Sequence, residues 1–259
     1  MTPILKAERL IAIAAVLALA AALAACKGGG GGDTPEPPTN ITLKGTVTSG
    51  GAPLAGIPVY LSWDEQKTTV TDANGQYSFA GLTKSQYVVT PSLLNHAFTP
   101  SNYELASAQS RTDLNFAAAA ATYGSDVGQI ATDFTLTNQG GQPVSLYASF
   151  GKVVLFDFSA DWCGPCQSEA AKAQALYAAY KSSGLEMLTL MIEGSTATWA
   201  STYGLSFSVL DDSALTAWTV YDDLGYIPLN IIVDRNMTIR YKQAGYDETA
   251  VINAIKKYL

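Results

Sequence analysis

The stretch Val153-Val154-Leu155-Phe156-Asp157-Phe158-Ser159-Ala160-Asp161-Trp162-Cys163-Gly164-Pro165-Cys166 decides the fold of the C-terminal half. Residues 153–158 are an almost continuous apolar, β-rich run, the pattern of a central strand buried on both faces. Beyond it, Ala173, Leu176, Tyr177 and Tyr180 recur at helical spacing, and Gly184 stands where a helix ends. A Cys-x-x-Cys therefore sits at a strand–helix junction, the setting of a redox dithiol. Unpaired backbone N–H groups and the positive end of the helix dipole favour thiolate there. Two other readings are a structural disulfide and half a zinc site. Zinc needs further Cys or His ligands, and residues 124–259 supply none.

The surrounding pattern alternates strand and helix. Residues 134–137 and 143–145 read as a hairpin around Asn138-Gln139-Gly140-Gly141. Residues 185–192 form a second buried strand, and 199–203 and 215–220 read as helices. Residues 230–233 and 238–241 pair across Asp234-Arg235-Asn236. Residues 247–259 make an amphipathic closing helix, capped by Asp247 and ending with Lys256 and Lys257 to suit the dipole. Such alternation predicts an α/β domain with its sheet covered on both faces.

Composition narrows the function. The 259 residues carry a net charge of −7, which excludes the basic footprint of a nucleic-acid binder. His96 is the single histidine, which argues against a zinc site built on several His and against a conventional His-dependent hydrolase. Asp211, Asp212, Asp222 and Asp223 invite comparison with a Ca²⁺ site, but no EF-hand-like loop surrounds them. They are read as a solvated acidic face. The three cysteines are an odd number, which an exported protein must account for.

The first cysteine belongs to the N-terminal segment. Lys6 and Arg9 precede an unbroken apolar run over residues 10–25, short for a membrane span and patterned as an export signal. It closes on Leu23-Ala24-Ala25-Cys26, which resembles the lipobox of bacterial lipoproteins. The resemblance implies cleavage after residue 25, lipid on Cys26, and attachment in the cell envelope facing the periplasm. Lys27, where Asp would signal inner-membrane retention, favours the outer membrane. Residues 26–40 then form a tether, with Gly28 to Gly32 in a row followed by Pro35, Pro37 and Pro38.

Residues 41–117 change grammar to short alternating strands separated by Gly and Asn turns, such as Ser49-Gly50-Gly51 and Asp72-Ala73-Asn74-Gly75. Strands are expected over 41–47, 57–61, 67–71, 77–79, 87–90 and about 112–116, which predicts an all-β sandwich. Gly45-Thr46-Val47, Ala52-Pro53-Leu54-Ala55-Gly56-Ile57-Pro58-Val59, the run from Thr71 to Phe79 and Thr99-Pro100 resemble the carboxypeptidase-regulatory-like, transthyretin-like domain. That family implies a spacer or binding module, and His96 is read as a loop residue. The alanine run Ala117–Ala121 is read as the interdomain connection, with the linker set over residues 118–123.

Residues 124–259 resemble the redoxin and TlpA-like thiol-disulfide oxidoreductases, in Val127-Gly128-Gln129-Ile130-Ala131-Thr132-Asp133-Phe134-Thr135-Leu136, in Gly151-Lys152-Val153-Val154-Leu155 and in Trp162-Cys163-Gly164-Pro165-Cys166. The resemblance implies a thioredoxin fold, Cys163 as attacking thiol and Cys166 as resolving thiol. It implies Ile227-Pro228 as the cis-proline that aligns substrate, and Asp157 as the buried proton acceptor for Cys166. Glu169 matches a common acid of the active-site helix, while Ala171 replaces the family's helix-kinking proline. Gly164-Pro165 is the dipeptide of reducing members, which implies a reductase of protein disulfides. It needs no cofactor beyond the Cys163–Cys166 dithiol and is recharged by a membrane thiol donor. Two alternatives stand beside it. One is a thiol-dependent peroxidase of the AhpC/TSA type, although Ala160 stands where such enzymes carry Thr. The other is a surface binding protein whose sandwich is the main functional module.

Overall fold

Every residue of strand Val153–Ala160 is buried, so this strand needs neighbours on both edges and cover on both faces. It finds them in the interior of a seven-stranded sheet. The computed structural model describes residues 40–107 and 109–259. The signal, lipid-site and tether readings over residues 1–39, Cys26 included, lie outside the described residues. Among the described residues no helix is long and apolar enough to cross a membrane.

The described chain opens with β1 (Ile41–Ser49), β2 (Pro58–Trp63), β3 (Lys67–Val70), β4 (Gln76–Leu82), β5 (Tyr87–Pro91), β6 (His96–Thr99), β7 (Tyr103–Leu105) and β8 (Phe116–Ala120). One sheet joins β4, β1, β8 and β6, and the other runs β3-β2-β5-β7. Leu43, Val47, Val59, Leu61, Phe79, Tyr87, Val89 and Phe116 form the core between them. Gly45 is required where β1 passes the Leu114 carbonyl. A Cβ there would lie 1.8 Å from that oxygen.

Three expectations are corrected here. The alanine run is not a linker, because β8 pairs parallel with β1 and antiparallel with β6. Backbone pairing on both edges holds Ala117–Ala120 extended despite alanine's low β propensity, and Ala118 turns into the core. His96 begins β6 instead of sitting in a loop. The last strand accordingly starts at Phe116, not near Thr112.

The second domain contains β9 (Thr135–Asn138), β10 (Pro143–Ser145), β11 (Val153–Ala160), α1 (Gly164–Tyr180), β12 (Leu185–Glu193), α2 (Thr196–Tyr203), β13 (Ser208–Asp211), α3 (Trp218–Tyr221), β14 (Leu229–Val233), β15 (Ile239–Ala244) and α4 (Glu248–Tyr258). The sheet order is β10-β9-β13-β12-β11-β14-β15. β13 has no counterpart in the sequence reading, and α3 is shorter than expected. The strand pleat sends Leu155, Met187 and Ile232 to one face, with Ala170, Ala173, Val251 and Ile255. It sends Val154, Phe156, Phe158, Leu188 and Ile231 to the other, with Phe134 and Tyr221.

The domains are joined by directed polar contacts. Ser92 Oγ donates to the Arg235 carbonyl at 2.9 Å, and Asn236 Nδ2 donates to the His96 carbonyl at 2.9 Å. Ser62 Oγ donates to the Lys257 carbonyl at 2.8 Å, and the Arg235 guanidinium lies 4.9 Å from the Tyr60 ring centroid. Arg240 bonds Ser101 at 2.9 and 3.1 Å while its Nε contacts Asp234 at 2.6 Å, both side chains being buried. Removing one partner of a buried pair leaves the other charge uncompensated, at a cost of about 3–5 kcal/mol. Arg240→Met is therefore expected to destabilise the chain by that order in urea unfolding. A loss below about 1 kcal/mol would show the pair to be solvated instead.

Candidate active site

Helix α1 begins at Gly164, and this makes Cys163 its N-cap. Gly164 and Pro165 occupy the first turn, where the N–H that proline lacks would have no helical partner. Cys163 is extended, with φ −81° and ψ 103°, and its Sγ accepts the Cys166 N–H at 3.2 Å. Cys163 and Cys166 are joined by a disulfide. Cys163 keeps 4 % of its surface exposed and Cys166 none, so an incoming sulfur meets Cys163 first.

Around this bond the chain leaves a mixed rim. Trp162 is 64 % exposed, and its Nε1 donates to Glu193 Oε2 at 2.8 Å. The Ile227 carbonyl lies 3.9 Å from Cys163 Sγ, and the Ile227–Pro228 peptide is cis. The loop before it exposes Leu224 and Tyr226 and is folded by Asp222, whose Oδ1 accepts the N–H groups of Leu224 and Gly225. Trp162, Cys163, Gly164, Pro165, Cys166, Ile227 and Pro228 thus meet at one edge of the fold.

Beneath the disulfide lies a polar cluster created by the pleat. Asp157, Ser159, Thr189 and Asn230 occupy the alternate positions of three adjacent strands, so all four face α1. Asp157 pairs in register with Thr189 on one side and Asn230 on the other. Its two oxygens accept hydroxyl protons from Thr189 at 2.8 Å and Ser159 at 2.7 Å. Burial nevertheless pushes its carboxyl up to about 6. Glu169, on the facing side of α1, is pushed well above the usual carboxylate range by burial and then by the charge of Asp157. A hydrogen bond from Asn230 Nδ2 at 3.2 Å opposes this. Helix α1 runs unbroken through Ala171.

The sequence reading missed Ser159, Thr189 and Asn230. The signal was present: each is a polar residue inside an apolar strand run, on the pleat face shared with Asp157. One acidic residue is also corrected. Asp212 is fully buried, not solvated, and its carboxylate accepts the N–H groups of Ala217 at 3.0 Å and Trp218 at 2.8 Å. Among the described residues, no group of three His, Cys, Asp or Glu side chains could hold a metal ion. A cleft of about 740 Å³ opens elsewhere, lined by Trp63 and Asp64 of the sandwich and by Tyr180 and Lys257, and includes no residue of the disulfide rim.

Residues 127–242 match the AhpC/TSA family, and residues 42–119 match the carboxypeptidase regulatory-like domain. The thiol-disulfide oxidoreductase ResA of Geobacillus kaustophilus is 32 % identical over 120 residues, 44 % of this chain and 67 % of ResA. Protein DipZ of Mycobacterium bovis is 30 % identical over 132 residues, 48 % of this chain and 19 % of DipZ. This chain thus spans about two thirds of ResA and about a fifth of DipZ. The crystal structure of the thioredoxin domain of a Bacteroides vulgatus thiol-disulfide oxidoreductase covers 50 % of this chain and 98 % of that one, at 22 % identity and a TM-score of 0.43.

The Asp157 carboxyl has a measurable consequence. An unfolded Asp titrates near about 3.9. Between that value and about 6 the folded chain holds a proton that the unfolded chain has released. Stability from this group is therefore lost as pH rises through the window and is level above it. Asp157→Asn removes the loss. In urea unfolding of the oxidised protein, the variant is expected to gain on wild type from about pH 4 to 6 and hold its advantage above. A difference that does not change with pH would contradict the assignment.

Proposed function

The chain belongs to the thiol-disulfide oxidoreductases of the thioredoxin fold, and from that premise we propose that it reduces protein disulfides through Cys163 and Cys166 at the cell envelope. One observation carries the reading: Cys163 Sγ caps α1, accepting the Cys166 N–H at 3.2 Å beside the Ile227 carbonyl. A sulfur held at a helix N-terminus is favoured as thiolate, the form that attacks disulfides.

The exchange runs in two steps. The Cys163 thiolate attacks one sulfur of a substrate disulfide, forming a mixed disulfide and expelling the other substrate sulfur as thiolate, which takes a proton. Cys166 passes its proton to the buried acids below, with Asp157 as acceptor. Its thiolate then attacks Cys163 Sγ and expels the second substrate sulfur as thiolate, which takes the proton back from Asp157. Two electrons leave the dithiol, and the chain is left with the Cys163–Cys166 disulfide. A thiol donor at the membrane returns two electrons and two protons. No resident cofactor is required, because the dithiol is itself the redox group. Ile227 and Pro228 form the wall against which a substrate chain lies, and exposed Trp162 forms the opposite wall.

The protein partners are disulfide-bearing polypeptides outside the cytoplasm. Lipid on Cys26 would hold the chain at the membrane, with residues 26–40 as tether. The AhpC/TSA match favours one second reading, thiol-dependent peroxide reduction, for which Cys163 would take the peroxide oxygen. Peroxide turnover faster than disulfide reduction with the same thiol donor would establish that reading instead.

Three variants bear on the proposal. Insulin reduction by the reduced protein is expected to fall to the uncatalysed background in Cys163→Ser. Cys166→Ala is expected to accumulate mixed disulfides through Cys163. Wild-type rates in Cys163→Ser would sink the exchange mechanism. For the anchor, Cys26→Ala is expected to move the protein from the membrane fraction to the soluble fraction and to abolish labelling by radioactive palmitate. Unchanged labelling would remove Cys26 as the lipid site.

A further inference from the structure

The buried side of the site contains one group that the mechanism above does not use. Asn230 is fully buried on β14, two residues beyond Pro228 and opposite Asp157 in the antiparallel register. Its Nδ2 donates to Glu169 Oε2 at 3.2 Å and to the Gly245 carbonyl at 3.4 Å. A backbone carbonyl can only accept, so Gly245 fixes which end of the amide is nitrogen. The other end, Oδ1, is buried without a hydrogen-bond partner. An orphaned buried acceptor is destabilising, so a donor is expected to face it.

Glu169 can be that donor. The two acids are unequally served: Asp157 receives two hydroxyl hydrogen bonds, which suit an anion, whereas Glu169 receives one amide hydrogen bond. Two carboxyls in one desolvated pocket share a proton, and it settles on the less well-served member. We propose that Asn230 is a positioning residue that holds Glu169 as an acid–amide pair, Nδ2 donating to Oε2 while Oδ1 accepts the proton carried by Oε1. At neutral pH Glu169 then holds the proton on the helix, and Asp157 is the anion on the strand. A carboxamide suits this place because it serves both forms of Glu169, donating to the anion and also accepting from the acid. The inference rests on the dithiol-exchange reading and assigns its proton-bearing and proton-accepting carboxyls.

Other titratable groups surround Glu169. Asp157 faces it from β11, and Tyr241 of β15 and Tyr246 of the following loop lie within reach of its charge; Asp247 and Glu248, at the start of α4, face those two tyrosines. Cys166 and Lys172 lie on its own helix. Lys172 is engaged by Glu248 at 2.6 Å and lies 5.8 Å from the Tyr246 ring centroid. None of these groups donates to Asn230 Oδ1.

Infrared spectroscopy of the oxidised protein tests the pair. At pH 7 the wild type is expected to show a protonated-carboxyl C=O band that shifts on [¹³C]glutamate labelling and is lost in Glu169→Gln. Asn230→Asp removes the donor and adds a like charge. It is expected to raise the pH at which the band disappears by at least about one unit, the equivalent of one lost hydrogen bond. The double variant Asn230→Asp/Glu169→Gln re-forms the pair with its ends exchanged, and should recover an acid band and wild-type thermal stability. Absence of the wild-type band, a band that follows [¹³C]aspartate, or an unmoved midpoint in Asn230→Asp would overturn the proposal. Should Asn230→Asp not fold, the wild-type and Glu169→Gln spectra decide alone. The bands report a proton and not turnover, so an inactive wild type would overturn the exchange reading without altering this test.

Discussion

The hydrogen bond from the Cys166 N–H to Cys163 Sγ is the contact on which the rest of the site depends. It sets sulfur, instead of a Ser or Asp oxygen, as the cap of α1, and so places the reactive atom where the helix dipole favours negative charge. The cap works only if the helix starts at the end of a rigid strand. β11 provides that rigidity through complete burial between β12 and β14. The same burial explains why Asp157 holds its proton more tightly than an exposed carboxyl does. Strand, cap and acid are therefore one construction. The strand that fixes the helix must be dry, and any charge carried on its helix-facing side inherits that dryness.

Much of this was legible in the sequence because the chemistry there is local. Trp162-Cys163-Gly164-Pro165-Cys166 is contiguous, and the strand before it and the helix after it announce themselves by period. Asp157 stood out as a charge between Phe156 and Phe158. Asn230 and Thr189 did not, because their meaning is set by register, which brings residues from three strands onto one rung. No single run of sequence shows that rung. The alanine run illustrates the opposite failure. Alanine has weak β propensity, and Ala117–Ala120 become a strand only because β1 and β6 border them. Asp212 was misread for a related reason: its role as a helix cap is visible only when Ala217 and Trp218 fold back onto it.

The sandwich is joined to the redox domain by more than covalent continuity. Arg235, Asn236 and Arg240, around the turn between β14 and β15, each bond or stack on sandwich residues. Lys257 and Tyr258 at the end of α4 reach Glu104 at 2.7 and 3.3 Å. Val88 of β5 belongs to the core on the α1 face. These contacts leave Trp162, Cys163, Tyr226 and Ile227 untouched. The sandwich thus rests on the redox domain without covering the disulfide, which suits a spacer carrying a working site.

Direction of exchange is the remaining physical quantity, and it is set by the reduction potential of Cys163–Cys166. About 30 mV corresponds to 1.4 kcal/mol in this two-electron couple. Equilibrating the protein with defined dithiothreitol ratios, and counting its thiols, measures that potential directly. A protein-disulfide reductase with Gly164-Pro165 between its cysteines should lie near about −270 mV, in the range of reducing thioredoxins. A value near about −120 mV, that of a strong disulfide-forming oxidant, would contradict the account.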